Sequence, residues 1–197
     1  MERIAVFLDF ANIEAAAQCR IDYGSLRQYL GEGRHIIECF AYVPIDPRNP
    51  QGRDGMINHL QQSGWMVHSK MGKLAGDTYK ANVDVEMTID IIRCSEVMRP
   101  DILVLCSGDG DFLPLIRYLR QRGVRIETAS FQRAASRETK AEANGFIDLD
   151  RWKAEQDSRY LQGVPRQGGS PWQNRQPSSS RPIQNIPDDS YFLRRAF

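Results

Sequence analysis

Residues 107–112 read Ser-Gly-Asp-Gly-Asp-Phe and set two carboxylates, Asp109 and Asp111, on a glycine-jointed turn. The turn directly follows an apolar run from Ile102 to Cys106 with the character of a strand buried on both faces. A second strand-end acid, Asp9, closes the run from Ile4 to Leu8. In an α/β sheet, ligands bind beyond the carboxyl ends of parallel strands, so acids placed there meet in one cleft. Carboxylates sharing a cleft repel one another unless a hard divalent cation sits among them. The pattern points to a metal-dependent enzyme acting on phosphate, with a nuclease as the leading case.

Each acid also has a plainer role. Asp9 begins Asp-x-x-Asn, and Asn12 serves equally well as a helix cap or as a group orienting a water or a phosphate oxygen. Asp84 falls in the first turn of a helix expected over 82–98, where a carboxylate also suits the helix dipole. It precedes the core-facing Met87 by one helical turn and so can lean inward. Asp90 reads as a hydrogen-bonded structural acid and Glu86 as a solvated one. A turn with a helix cap explains one of Asp109 and Asp111 but not both, and Asp111 is the expected cap. Ser107 can donate to a phosphate or to a carboxylate, and Lys80 can contact phosphate or pair with Asp84. Nucleophilic triad chemistry finds no support, because His35, His59 and His68 lie in unrelated settings. A P-loop, a G-x-G-x-x-G and an EF-hand spacing are all missing.

The frame that must hold these residues is an alternation of strands and helices. Strands are expected at 3–9, 35–43, 65–69, 102–106, 124–130 and 146–150, and helices near 11–19, 24–31, 53–63, 82–98, 112–122 and 135–143. Ser25 is the expected cap of the second helix, and a Pro-rich turn is expected to end the second strand. The stretch 69–80 has the composition of a loop. For 82–98 the apolar residues fit both a strand and a helix, and length decides for the helix. Such alternation predicts an α/β domain over 1–150, a mostly parallel sheet flanked by helices, with a basic tail over 151–197.

The net charge of +1 excludes a wholesale polyanion binder, but it is unevenly spread. Residues 151–197 carry eight basic and four acidic side chains, against 18 basic and 21 acidic in 1–150. An acid-lined domain with a basic tail suits a polyanionic partner gathered by positive charge. The four cysteines show no C-x-x-C spacing and read as small hydrophobes in a reducing compartment. With no signal peptide and no run of membrane-spanning length, a cytoplasmic protein is expected. From Tyr160 to Pro187, 17 of 28 residues are Pro, Gly, Ser or Gln, a composition expected to be disordered when free.

Four stretches together resemble a known family: AVFLDFANI (5–13), KANVDVEMTIDII (80–92), VLCSGDGDFLPLIRYLRQRGVRI (104–126) and FIDLD (146–150). They are similar to the NYN domain of the bacterial LabA-like type, within the PIN-like nuclease superfamily. The resemblance implies a three-layer PIN-like domain with a five- or six-stranded parallel sheet, and ribonuclease chemistry with Mg²⁺ or Mn²⁺. Carried over by motif, Asp9, Asp84, Asp109 and Asp111 would be the metal-site acids, with Asn12 beside them and Ser107 and Lys80 in support. Asn144 departs from the pattern, standing where relatives often carry Asp, which weakens the case for a second metal.

The expected reaction is hydrolysis of RNA through this acidic cleft. Lys70, Lys73, Lys80, Arg133, Arg137 and Lys140 are expected to hold the phosphate backbone, and Tyr79 either stacks a base or is buried. The rival is a regulatory protein of the same fold with little activity, which binds RNA or docks a protein partner through its tail. Tyr191, Phe192, Leu193 and Phe197 would then be anchors with Arg194 and Arg195 on the rim, unless this segment folds back on the domain's own apolar surface. A phosphatase-like hydrolase ranks lower, because Asp9 lacks a second acid two residues on. Nothing in the pattern sets the oligomeric state, a homodimer included.

Overall fold

The computed structural model describes residues 1–76 and 78–161. The tail anchors Tyr191, Phe192, Leu193, Arg194, Arg195 and Phe197 lie outside the described residues.

Strand β1 (Arg3–Asp9) is apolar on both faces, and its five central residues are fully buried. It leads into α1 (Phe10–Ala17) and α2 (Tyr23–Leu30). The cap of α2 is Asp22, whose carboxylate accepts from the Ser25 N–H, so Ser25 is the capped residue and not the cap. β2 (His35–Ile45) runs through Pro44, two residues beyond its expected end. A proline fits there because the parallel ladder to the next strand asks for Pro44's register partner, Lys70, without needing a donor from every residue.

α3 (Asp54–Gln62) stops at Gly64, which takes a positive φ of 83°, and β3 (Met66–Met71) follows. The expected loop at 69–80 is instead the end of β3 and an antiparallel hairpin, β4 (Lys73–Ala75) and β5 (Thr78–Lys80). α4 (Val83–Val97) confirms the helical reading, with Val83, Met87, Ile91 and Cys94 forming its buried stripe. β6 (Ile102–Cys106) is wholly buried. A short 3₁₀ turn, Gly110–Phe112, then enters α5 (Leu113–Gln121). β7 (Arg125–Ser130), α6 (Arg137–Glu142) and β8 (Gly145–Asp148) follow. The chain does not close at residue 150. Helix α7 (Leu149–Leu161) crosses that boundary, and Trp152, only 3 % exposed, anchors it in the core.

The main sheet has the order β3-β2-β1-β6-β7-β8, and every neighbouring pair is parallel. Apolar residues of α1, α2, α3 and α7 pack on one face, and those of α4 and α5 on the other. The first two crossovers therefore use one face and the next two use the opposite one. The reversal falls between β1 and β6, the switch point at whose carboxyl-end side open α/β sheets bind their ligands.

Candidate functional site

Register alone sets a polar row along that carboxyl edge. Asp9 pairs with Tyr42, and Tyr42 with His68. On the other side Leu8 pairs with Cys106 and Cys106 with Ala129, so Ser107 and Ser130 come next in line, and Ser130 pairs with Asp148. Parallel strands in register send these side chains to one face, the face that α4 and α5 cover.

Asp9 sits at the crossover point and is 5 % exposed. It caps α1, its Oδ1 accepting from the Asn12 N–H at 3.2 Å, while Oδ2 accepts from the Ser107 hydroxyl at 2.9 Å. Ser107 Oγ in turn accepts from the Asp109 N–H at 3.1 Å, and Asp109 Oδ1 accepts from the Asp111 N–H at 2.9 Å. Asp109 rather than Asp111 therefore caps the following turn. Asn12 is not a cap, because its Oδ1 accepts from the Gly108 N–H at 2.9 Å and so ties the end of β1 to the end of β6. Gly108 must be glycine: a Cβ there would stand 2.2 Å from the Ala134 carbonyl oxygen and 2.8 Å from Ser130 Oγ.

Electrostatics show that the acids share one region. Burial, helped by the charges of Asp84 and Asp109, pushes the Asp9 carboxyl up to about 6 against the pull of Asn12 and Ser107. Asp84 is also raised, by burial first and then by Asp109 and Asp111. None of the four forms an ion pair among the described residues. The negative charge is left uncompensated. At the same time, no group of three or more His, Cys, Asp or Glu among the described residues is placed to hold a metal ion. Both oxygens of Asp9 and one of Asp109 already accept protein hydrogen bonds. The donor set fits a hard cation that keeps most of its own water, and does not fit a dry carboxylate cage.

The remaining expected residues divide clearly. Ser107 is 2 % exposed and spent on Asp9 and Asp109, so it positions acids instead of facing a phosphate. Lys70 is held by Glu86, which is therefore paired and not merely solvated. Lys73 and Lys80 are exposed and directly opposite each other across the hairpin, with no carboxylate partner among the described residues. Lys80 makes no pair with Asp84. Two like charges in that position cost energy until a polyanion neutralises them. Tyr79 is half-buried, and a Cβ on Gly72 would lie 2.4 Å from its ring, so the ring is packed against the hairpin backbone. Arg133 and Arg137 are exposed beyond β7, whereas Lys140 is bonded to Gln132 and lies over the Phe146 ring.

Asp90 is the structural acid expected, accepting from the Tyr42 hydroxyl at 2.8 Å. Asn144 accepts from the Ile126 N–H at 2.9 Å near the start of β7, at the opposite end of the sheet from Asp9. It has no part in the cleft. Burial holds the Cys39 and Cys94 thiols at about 12, so neither can act as a thiolate. Ser130 is absent from the expected set. It is fully buried behind Gly108 with its hydroxyl unpartnered, and the only sequence sign of it is a polar residue closing the apolar β7 run.

Comparison with known proteins agrees with this architecture. The chain is 31 % identical over 158 residues to the low amplitude and bright protein LabA of Synechococcus elongatus, covering 75 % of this chain and 84 % of that one. Its fold is similar to the crystal structure of a protein of unknown function from Vibrio parahaemolyticus, with a TM-score of 0.65 and 25 % identity over 77 % of this chain and 94 % of that one. Among the described residues no helix is long and apolar enough to cross a membrane. Residues 3–150, which hold the switch point and all four acids, match the NYN domain, and the chain belongs to that family.

Proposed function

We propose that the protein is a metal-dependent ribonuclease that hydrolyses phosphodiester bonds at the acidic edge between β1 and β6. The observation that carries this reading is the set of four carboxylates without ion-pair partners among the described residues, Asp9, Asp84, Asp109 and Asp111. They are close enough that Asp84 and Asp109 add to the burial that raises Asp9, and Asp109 and Asp111 to the burial that raises Asp84. A Mg²⁺ or Mn²⁺ ion would be held there largely through its own water by Asp84, Asp109 and Asp111, with Asp9 behind them. When bound, the cation supplies Lewis acidity, activating water near neutral pH and offsetting charge on the attacked phosphate.

The chain's own residues do the rest. Asn12 and Ser107 fix the two strand ends relative to each other, so Asp9 and Asp109 keep their spacing when a polyanion arrives. Lys73 and Lys80 on the hairpin, with Arg133 and Arg137 past β7, attract the backbone of RNA without reading its bases. An acid-lined cleft by itself repels RNA, so these flanking cations set the encounter.

The test uses labelled single-stranded RNA with Mg²⁺ or Mn²⁺ against wild type, Asp9→Asn and Asp109→Asn. Cleavage by wild type and a loss of 100-fold or more in each folded variant is expected, on the order of the effect of removing one electrostatic catalytic group. Equal cleavage by both variants overturns the proposal. The absence of a ready three-acid metal group favours one second reading, a protein of this fold that binds RNA with little turnover. Binding without cleavage by wild type identifies it.

A further inference from the structure

Helix α4 is apolar on two sides. At about 100° per residue, Val85 and Ile89 lie opposite the buried stripe of Val83, Met87, Ile91 and Cys94, whereas Ile92 packs against the core. Val85 is 59 % exposed and Ile89 43 %, while Ile92 is half-buried. A helix covering one face of a sheet is expected to be polar on its outer side, and one that is apolar all round is expected to be covered. The acids of the same helix flank this outer stripe: Asp84 and Glu86 stand on either side of Val85 in sequence and project to opposite flanks. Glu86 is paired with Lys70, but Asp84 has no cation partner among the described residues. The surface is a short apolar strip with uncompensated negative charge along one edge.

We infer that residues 191–197 of this same chain dock on the outer face of α4, their aromatic side chains over Val85 and Ile89 and their two arginines toward the Asp84 flank. The segment reads Tyr-Phe-Leu-Arg-Arg-Ala-Phe, and its chemistry is the complement of that strip in both respects. It is also the densest apolar stretch beyond α7, following the Pro-, Gly-, Ser- and Gln-rich residues that precede it. The length suffices. Residues 162–190 separate the end of α7 from Tyr191, a length with a reach of up to roughly 95 Å. α7 packs on one face of the sheet and α4 on the other, and that reach exceeds the few tens of ångströms round the edge of a three-layer domain, on the order of 10 Å per layer. Tethering at that length raises the local concentration of the segment to the order of millimolar, enough for a small patch to hold it. A consequence rests on the nuclease reading: two guanidinium groups beside Asp84 compete with a cation for the cleft.

Disulfide trapping in the full chain tests the docking without reference to activity. In a Cys19→Ser background, which removes the exposed native thiol, Val85→Cys or Ile89→Cys is combined with Ser190→Cys or Ala196→Cys. These tail positions leave every aromatic and arginine in place. Ser179→Cys, nearer α7, is the control for tethering alone. Docking gives intrachain disulfide from positions 190 and 196 at least about tenfold faster than from 179. Adding Arg194→Glu and Arg195→Glu, or Phe192→Ser and Leu193→Ser, returns the rate to the control. Equal rates from all three tail positions overturn the inference. So do reduction-sensitive dimers as the main product, which place a second copy on α4. Because no RNA or metal is present, these outcomes are independent of whether the cleft is catalytic.

Discussion

Replacing Asp9 by asparagine removes the most deeply buried acid of the cleft, and the result should be a more stable protein that no longer cleaves RNA. The folded carboxyl titrates near 6 against 3.8 for an unhindered aspartate, a rise of about two pH units. At ~1.4 kcal/mol per unit, ionised Asp9 costs the folded state about 3 kcal/mol. Since the folded value is raised, the protonated group favours folding. That contribution is complete below about pH 4 and is lost as pH rises through about 6. An asparagine stays neutral throughout and keeps an oxygen for the Asn12 N–H that Asp9 now caps.

Urea unfolding in EDTA therefore separates the two proteins by pH. At pH 7.5 the Asp9→Asn variant should exceed wild type by about 2–3 kcal/mol, seen as a higher midpoint at unchanged slope. Near pH 4 the two should coincide. All other titrating groups are common to both chains, so the difference between their pH profiles isolates this one side chain. Saturating Mg²⁺ should narrow the gap at pH 7.5, because the charge of Asp9 adds to the cation's hold and wild type is stabilised more than the variant. A variant no more stable at pH 7.5 than at pH 4, relative to wild type, would refute the claim that burial and neighbouring carboxylates load this position.

Three further perturbations probe the frame and the approach of substrate. Asn12→Ala deprives the Gly108 N–H of its acceptor and should lower stability by about 1–2 kcal/mol in thermal melts, with Asn12→Asp retaining the acceptor and most of the stability. Gly108→Ala forces a Cβ against the Ala134 carbonyl and should cost about 1–3 kcal/mol, measured by urea midpoint; a neutral result would mean the 107–112 turn can shift freely. Lys73→Glu with Lys80→Glu should weaken RNA binding and reduce the slope of log affinity against log salt by about 1.4, read by fluorescence anisotropy. Lys70→Ala should leave that slope nearly unchanged, because Glu86 already occupies the ammonium group.

Helices and strands with one clear period were legible in the chain. Ile4–Leu8 and Ile102–Cys106 are apolar at every position because parallel strands are covered on both faces, while over 82–98 both periods fit and length decides for the helix whose stripe is Val83, Met87, Ile91 and Cys94. The hairpin at 73–80 was not legible. Its strands are three residues each, too short for an alternating pattern to stand out from loop composition. Helix α7 carried no clear signal for a related reason. Leu149 and Trp152 stand among polar residues in the first turn of α7, and only packing against the α1–α2 face shows that they belong to the core. Caps were read to the wrong residue at both α2 and the 107–112 turn, because Asp22 or Ser25, and Asp109 or Asp111, are equally good cap chemistry one turn apart.

For the cleft, residue type and position marked Asp9, Asp109 and Asp111 at strand ends and Asp84 in the first turn of a helix as candidates, since charge in an apolar context carries its own signal. What each partner does was decided by tertiary contact. Asn12 and Ser107 became braces between β1 and β6, Lys70 was taken by Glu86, and Asn144 moved to the far end of the sheet. A short polar side chain bonds whatever lies within about 3 Å, and that neighbour comes from a strand roughly a hundred positions away. Local pattern can name the groups able to do chemistry; the crossover between β1 and β6 determines which of them remain free to do it.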